Sequence, residues 1–505
     1  MEKGKQDLKI ISYYTGYVII ITALLMIFPI ITSLFFKEWD VALKFLISCA
    51  VSIDIGILFM LAGRKVLGNA KVEWKHGLIT AALSWVILMF LCALPYKLSG
   101  NYNSYLDACF DVMSGFTTTG LTLVQNLDHV SLGINMWRHI LTFVGGQGMV
   151  VLALSFLVKG TSGAYKMYVG EGKDVELVPN IVGTAKIIWI ISMTYLFMGT
   201  FLLWADGIHI GLKPESSFFH ALFITMSSWS TGGFSPMTQG IMYYHSFSYE
   251  NITIIFFIIG SLNFGLHYAI WKGDRKEIFK NIETQSFAIT SVLISSLAVV
   301  GLRKLNVYSG GITIFRRVVY NVLSAHTTTG FGNIYARQFA IDWGDYGVLL
   351  MIAAMLIGGS ACSTAGGFKG LRMGIIFKGF IAEIKKLLEP ERRVSVFKFH
   401  YMKDNVLEDG MVKNALFIVV CYIITFAIGT FIGVCSGYPL LSSAFECASA
   451  TGNVGLSIGV TASSMPQVMK IYYIIAMYAG RLEFMSVFVL IGFIAGGIKK
   501  LCVRY

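Results

Sequence analysis

Ser114-Gly115-Phe116-Thr117-Thr118-Thr119-Gly120-Leu121-Thr122 is a run of small and hydroxyl residues set between strongly apolar segments. Exposed backbone polar groups are barely tolerated in lipid, so the run has two readings: a loop after a buried helix, or backbone lining a water-filled path. Recurrence separates them. With Gly120 as anchor, matching glycines stand at Gly233 in Ser230-Thr231-Gly232-Gly233-Phe234-Ser235, at Gly330 in Thr327-Thr328-Thr329-Gly330-Phe331-Gly332, and at Gly455 in Gly452-Asn453-Val454-Gly455-Leu456-Ser457. Each is followed by a large apolar residue and then a small one. Six positions before each glycine is a serine (Ser114, Ser227, Ser324, Ser449), and ten before is an aromatic (Phe110, Phe223, Tyr320, Phe445). The chain therefore carries a fourfold internal repeat of roughly 100 to 125 residues per unit.

The composition places that repeat in a membrane. Of 505 residues, 55% are hydrophobic and 13% charged, with a mean hydropathy of +0.69. These values belong to a polytopic membrane protein rather than to a string of soluble domains. A formal charge of +12 would suit a nucleic-acid partner. The basic residues, however, sit in short loops beside apolar spans, the positive-inside pattern, so no nucleic acid is expected. Cysteines are scattered singly without metal spacing, and Cys49, Cys92, Cys109 and Cys421 read as small buried hydrophobes.

The apolar run 10–36 is too long for a cleaved leader and reads as a retained span. A second span, about 41–62, carries Asp54, for which a local hydrogen-bonding role competes with a functional one. Arg64, Lys65, Lys71 and Lys75 then form a basic loop, which places it and the N-terminus on the cytoplasmic side. Four modules follow, each an apolar span, a short helix, the glycine stretch and a second span. The spans are expected at 77–98 and 134–159, 181–206 and 252–271, 287–307 and 346–368, and 412–434 and 468–498. The short helices fall at 104–116, 217–229, 314–326 and 440–450, too short to cross, so they re-enter from one face. About ten spans with both termini inside put every glycine stretch on the outer side.

A short helix whose C-terminal end points inward directs the negative pole of its dipole at the membrane centre, favouring a cation there. The stretch after it, with glycine free to adopt angles other residues avoid, can turn carbonyl oxygens toward an axis and replace a cation's hydration shell. The expected site is a filter for a monovalent cation with one main level at Gly120, Gly233, Gly330 and Gly455. It is flanked by Thr118, Thr119, Thr231, Gly232, Thr328, Thr329, Asn453 and Val454. A one-level filter also leaves room for some passage of Na+.

Two further motifs bear on the path. Gly358-Gly359-Ser360-Ala361-Cys362-Ser363-Thr364-Ala365-Gly366-Gly367-Phe368-Lys369 holds a lipid-facing helix poorly and suits an unwound, cavity-lining segment. Close helix packing through small residues is its alternative. In Gly480-Arg481-Leu482-Glu483, a pore-facing Arg481 competes with a structural ion pair, and its separation from Glu483 disfavours a pair within one helix face. Arg138, beside Trp137, reads as an interfacial anchor. Asp107, Asp111 and Glu446 either draw cations to the mouth or cap and pack the short helices.

Together the fourfold pattern, the degenerate Thr-x-Gly stretches and these two motifs resemble the Trk/Ktr/HKT superfamily of potassium transporters over essentially the whole chain. The extra N-terminal pair of spans is similar to its TrkH branch. Two departures stand out: Cys362 occupies a position where the usual loop has glycine, and repeat four has Gly452-Asn453-Val454 in place of hydroxyl residues. The resemblance implies an all-α polytopic membrane protein with two N-terminal spans and four span/pore-helix/span repeats around a central pore. The expected divisions are 1–72, 73–175, 176–280, 281–405 and 406–505. It implies uptake of K+, and of Rb+, as the transported ion, with no other cofactor. The gate would be an intramembrane loop involving Gly358, Gly359, Ser360, Gly366 and Gly367, with Arg481 beneath the filter. For the basic connection 369–413, with its alternating segment 394–401, the resemblance implies docking of a cytosolic, nucleotide-binding ring similar to TrkA; a solvated, lipid-facing loop is the other reading. The chain itself has no phosphate-binding fingerprint. A homodimer in a bacterial inner membrane is the expected setting. An H+- or Na+-coupled symporter and the channel-like subunit of an ATP-driven pump are the alternatives, whereas no paired catalytic residues recur that would suit an enzyme.

Overall fold

The computed structural model describes residues 2–64, 73–148, 151, 181–390 and 396–502, and within them regular structure is almost wholly helical. Lys65 and Lys71 of the basic loop, residues 152–159 of the span expected in repeat one, and residues 394–395 of the alternating segment lie outside the described residues. Helices α1 (Glu2–Leu24) and α2 (Ile27–Phe35) form one apolar stretch, and α3 (Trp39–Gly63) returns against α1. Each repeat opens on a full-length helix: α4 (Trp74–Ser99), α7 (Ile181–His209), α12 (Ile282–Lys304) and α18 (Asp409–Cys435).

The short helices are α5 (Tyr105–Phe116), α8 (Pro214–Trp229), α14 (Tyr320–His326) and α19 (Leu440–Thr451). In repeat three, α13 (Gly311–Ile314) and a π turn, Phe315–Val319, lead into α14, and α15 (Ala336–Ile341) follows the glycine stretch. Local chemistry starts them. Ser104 and Asp107 form a reciprocal capping box, and Pro214 stands at the first helical position, where its missing N–H costs nothing. Behind them stand α6 (Leu132–Gln147), α9 (Phe247–Gly260), α16 (Gly344–Ile357) and α20 (Gln467–Arg481). Every short helix packs against its own first span, its own second helix, and the second helix of the preceding repeat, with repeat four preceding repeat one. That pattern closes the four repeats into a ring.

The second spans differ from expectation. Rather than crossing unbroken, α9 gives way at Ser261–Asn263 to α10 (Phe264–Trp271), bent by 98°, and α20 gives way after Arg481 to α21 (Met485–Cys502), bent by 115°. In repeat three the chain leaves the helix at Gly358 and resumes at α17 (Gly370–Leu388), so close packing of a continuous helix does not describe 358–369. Among the described residues, six helices are long and apolar enough to cross a membrane, or eight with each bent pair as one span. Irregular backbone at this depth is tolerated because it is buried in protein. The loop satisfies the break in repeat two: Ser360 N–H donates to Ser261 O (3.0 Å), Phe264 N–H to Cys362 O (3.1 Å), and Thr364 Oγ1 to Gly260 O (2.8 Å).

Two single-residue expectations are also corrected. Trp137 and Arg138 are fully buried rather than interfacial: Trp137 Nε1 donates to Cys92 O, and Arg138 lies over the Phe234 ring, 4.4 Å from its centroid. The reason is that α6 lies inside the ring, wedged between the short helices of repeats one and two. Asp54 faces outward on α3 and makes no hydrogen bond among the described residues. Between repeats two and three, α11 (Glu277–Lys280) precedes α12; in the connection 369–413, the end of the alternating segment forms β1 (Lys398–Tyr401), which pairs with β2 (Lys403–Val406) as a small hairpin. Tyr401 pairs with Lys403 around Met402.

Candidate functional site

All four short helices end alike. The residue before each repeat's anchor glycine (Thr119, Gly232, Thr329, Val454) donates its N–H to the carbonyl of the serine five positions earlier, at 2.8 Å in every repeat. The residue before that one donates to the carbonyl three positions back, at 2.9 to 3.3 Å. This pair of bonds is a Schellman closure, which requires a left-handed residue, usually glycine. Here the left-handed residue is Thr118 (φ 55°), Thr231 (50°), Thr328 (56°) or Asn453 (56°). Asparagine tolerates that conformation, whereas a β-branched threonine is strained by about 1–3 kcal/mol. Two residues on, Gly120, Gly233, Gly330 and Gly455 are left-handed again, with φ of 87°, 66°, 79° and 95°.

At this level the repeats touch backbone to backbone. A Cβ on Gly120 would run into the carbonyl oxygen of Gly232, one on Gly233 into that of Thr329, one on Gly330 into that of Val454, and one on Gly455 into that of Thr119. Contact passes from repeat one through two, three and four and back to one. The four glycines are partly exposed, while the three residues before each are buried. The ring thus offers neutral carbonyl oxygens at the converging negative ends of four helices, an arrangement suited to a partly dehydrated monovalent cation.

The loop between α16 and α17 lies directly against this ring. Its neck is closed by Phe368 N–H to Leu356 O (2.9 Å), Lys369 N–H to Ile357 O (3.1 Å) and Gly370 N–H to Gly359 O (2.8 Å). Gly358 and Gly367 meet there so closely that neither has room for a Cβ. The side chains of the left-handed residues rest on the loop. Thr118 Oγ1 donates to Thr364 O (3.4 Å), Thr231 Oγ1 pairs with Thr364 Oγ1 (3.1 Å), and Thr328 Oγ1 accepts from Gly366 N–H (2.7 Å). A Cβ on Gly366 would meet that of Asn453 at 2.9 Å.

Two cations hold the loop's carbonyls. Arg481 donates through Nη1 to Thr364 O and Ala365 O, and through Nη2 to Gly145 O and Gly146 O (3.0 Å each). Lys369 Nζ donates to Ala365 O. Glu483 pairs with Arg372. Every residue assigned to the filter or the gate from sequence lies in one contiguous body around this ring and loop; Gly359 and Ser360 sit on its side toward Ser261.

Of the two readings of Asp107, Asp111 and Glu446, their hydrogen bonds fit capping and packing. Asp111, nine residues before Gly120, accepts from Thr122 Oγ1 (2.6 Å), Leu123 N–H (2.8 Å) and Tyr102 hydroxyl (3.1 Å). Glu446, nine before Gly455, accepts from Ser457 and Thr461 hydroxyls and from the N–H of Ile458 (2.9 Å) and Val460 (3.1 Å). Asn321 holds the same place in repeat three and donates to Asn333 Oδ1 (2.7 Å). In repeat two that place is Ile224, and Arg138 serves instead, donating to Ser235 O (3.2 Å). Asp107 caps α5 and pairs with Lys470 at 2.7 Å. Polar residues at a buried position in three aligned repeats were the legible signal for these braces. The left-handed Thr118, Thr231 and Thr328 gave none, since threonine does not announce that conformation.

Known proteins resemble the chain along nearly its whole length. The family described as TrkH, cation transport protein, matches residues 44–494. An uncharacterized cation transporter of Methanocaldococcus jannaschii is 30% identical over 489 residues, covering 96% of each chain. The Trk system potassium uptake protein TrkH of Escherichia coli strain K12 is 27% identical over 489 residues, covering 95% of this chain and 97% of that one. The crystal structure of the potassium transporter TrkH from Vibrio parahaemolyticus superposes with a TM-score of 0.81 at 25% identity, covering 95% of this chain and 98% of that one.

Proposed function

This chain belongs to the TrkH family of cation transport proteins, and from that premise we propose that it is the membrane subunit of a potassium uptake system, conducting K+ along a channel-like path. The observation that carries the reading is the closed ring in which each filter glycine abuts the carbonyl oxygen of the next repeat. In this reading the carbonyls of Thr119, Gly232, Thr329 and Val454, with the four glycines, form the main ion site, and Thr118, Thr231, Thr328 and Asn453 form its lower rim. The loop 358–369, pinned by Arg481, is the gate, with Gly358 and Gly367 as its neck and Gly359, Ser360 and Gly366 as its packed faces. The names of the Escherichia coli and Vibrio parahaemolyticus relatives support K+ as the ion. The same reading places the chain as a homodimer in a bacterial inner membrane with both termini cytoplasmic. A TrkA-like ring is the partner at the basic connection, and the units divide at residues 72, 175, 280 and 405.

The test is tracer Rb+ flux into K+-loaded liposomes containing the purified chain, with the membrane potential clamped and pH and Na+ gradients imposed in turn. Flux that follows the Rb+ gradient alone, and that rises about tenfold or more in Arg481→Ala as charge-assisted bonds to the loop are lost, is the expected result. Uphill uptake that needs a proton or sodium gradient refutes the channel and establishes a symporter.

A further inference from the structure

We infer that the β1–β2 hairpin is a handle on the intramembrane loop, and that Asn263 and Glu283 are the positioning residues through which it holds that loop in the path. The inference rests on the gate reading above. Glu283, in the first turn of α12, is 1% exposed. Its Oε1 accepts the Ala361 N–H of the loop at 2.6 Å, and its Oε2 accepts Asn263 Nδ2 at 3.1 Å. Asn263 caps α10 at the 98° bend, its Oδ1 accepting from Gly265 N–H at 2.7 Å, and its Nδ2 also donates to the Tyr401 hydroxyl at 3.1 Å. Tyr401 is the last residue of β1. Loop, bend, repeat-three span and hairpin therefore meet at one carboxylate and one carboxamide, both buried.

The hairpin has a second attachment and a packed face, so it can transmit displacement rather than merely dangle. Glu277, on α11, accepts Met402 N–H at 3.2 Å and pairs with His400 Nε2 at 2.9 Å. Phe399 packs with Ile282, Ile375 and Ala415, side chains from α12, α17 and α18. Moving the hairpin away from α11 draws on Tyr401, and through Asn263 and Glu283 on the backbone of Ala361, three residues from the Thr364 carbonyl that Arg481 holds. Coupling is carried by a short chain of hydrogen bonds in a low-dielectric interior, where each link is strong and each loss is felt. A carboxylate is the apt acceptor for a loop N–H that must be held firmly yet released without breaking a covalent bond.

The test uses the full chain in liposomes and compares Tyr401→Phe, which removes one hydroxyl, with Glu283→Ala and Arg481→Ala. Two signals are read: tracer Rb+ flux with its Rb+ over Na+ ratio, and the rate at which a small thiol reagent labels native Cys362, resolved by peptide mass spectrometry. Cys362 is buried in the loop, so its labelling reports loop mobility independently of conduction. The expected result for Tyr401→Phe is about threefold higher flux and about threefold faster labelling, the share carried by one hydrogen bond, with the Rb+ over Na+ ratio unchanged. Should Glu283→Ala fail to fold, Tyr401→Phe carries the test alone. If Arg481→Ala raises flux while Tyr401→Phe leaves both flux and labelling as in the parent, the handle is overturned and the gate stands. If Arg481→Ala also changes nothing, both are overturned.

Discussion

A single methyl group tests the filter ring. Gly330→Ala places a Cβ against the Val454 carbonyl and forces a side chain into φ 79°, so the ring must open or its order must fail. Conformational strain alone costs about 1–2 kcal/mol, and with the clash Rb+ flux or the Rb+ over Na+ ratio falls at least about tenfold in the liposome assay. Two residues on, a Cβ at Gly332 meets nothing nearer than 3.6 Å, so Gly332→Ala remains within about twofold of the parent. Position, rather than residue type, separates these glycines. Cys362 makes the complementary point. It stands where the resemblance calls for glycine and holds φ 49°, so the loop keeps a left-handed residue there although the sequence departs.

At the scale of elements, the braces fix the segments after Gly120, Gly330 and Gly455 to their own short helices, and the segment after Gly233 to α6 through Arg138. Glu446→Ala removes the acceptor for the N–H groups of Ile458 and Val460, and leaving such donors unpartnered costs about 2–4 kcal/mol in all, seen as a lowered thermal midpoint in detergent. Glu446→Gln keeps one acceptor oxygen and loses less. The hairpin carries a pH dependence of its own. His400 lies between Asp404 (2.7 Å) of β2 and Glu277 (2.9 Å) of α11, with Lys398 and Lys280 acting on Asp404 from β1 and α11. The hydrogen bonds to Asp404 and Glu277 raise the histidine above its usual value near 6.5. A raised histidine contributes fully below the unfolded value, and its contribution is lost as pH rises through the folded one. Amide protection of residues 398–406 in hydrogen exchange is therefore expected to be full below the ordinary histidine value near 6.5 and to fall as pH rises through the raised value, and His400→Gln to flatten that profile.

For the whole molecule, the proposed ion site is assembled only when four repeats separated by about a hundred residues each come together, so on that reading an ion bound at the ring stabilises the entire bundle. K+ or Rb+ at a hundredfold excess over its dissociation constant adds about 2.7 kcal/mol, and the thermal midpoint rises in K+ relative to choline; Gly330→Ala removes that rise. The repeat, the short helices and the need for glycine at Gly120, Gly233, Gly330 and Gly455 were legible in the sequence because each is a local pattern: a period, an apolar run of a given length, a glycine where the backbone needs freedom. The bends at Ser261–Asn263 and after Arg481, the interior place of Arg138, and the partners of Glu446, Glu283 and Arg481 were not legible. Each depends on contacts between distant segments: Arg481 reaches Gly145, and Glu283 reaches Ala361. A buried polar group must find a partner wherever the fold offers one, so the partner's identity is settled by how the segments pack. The sequence by itself determined a fourfold helical membrane protein with a glycine-lined centre, and only the tertiary structure decided which side chains close the loop beneath it.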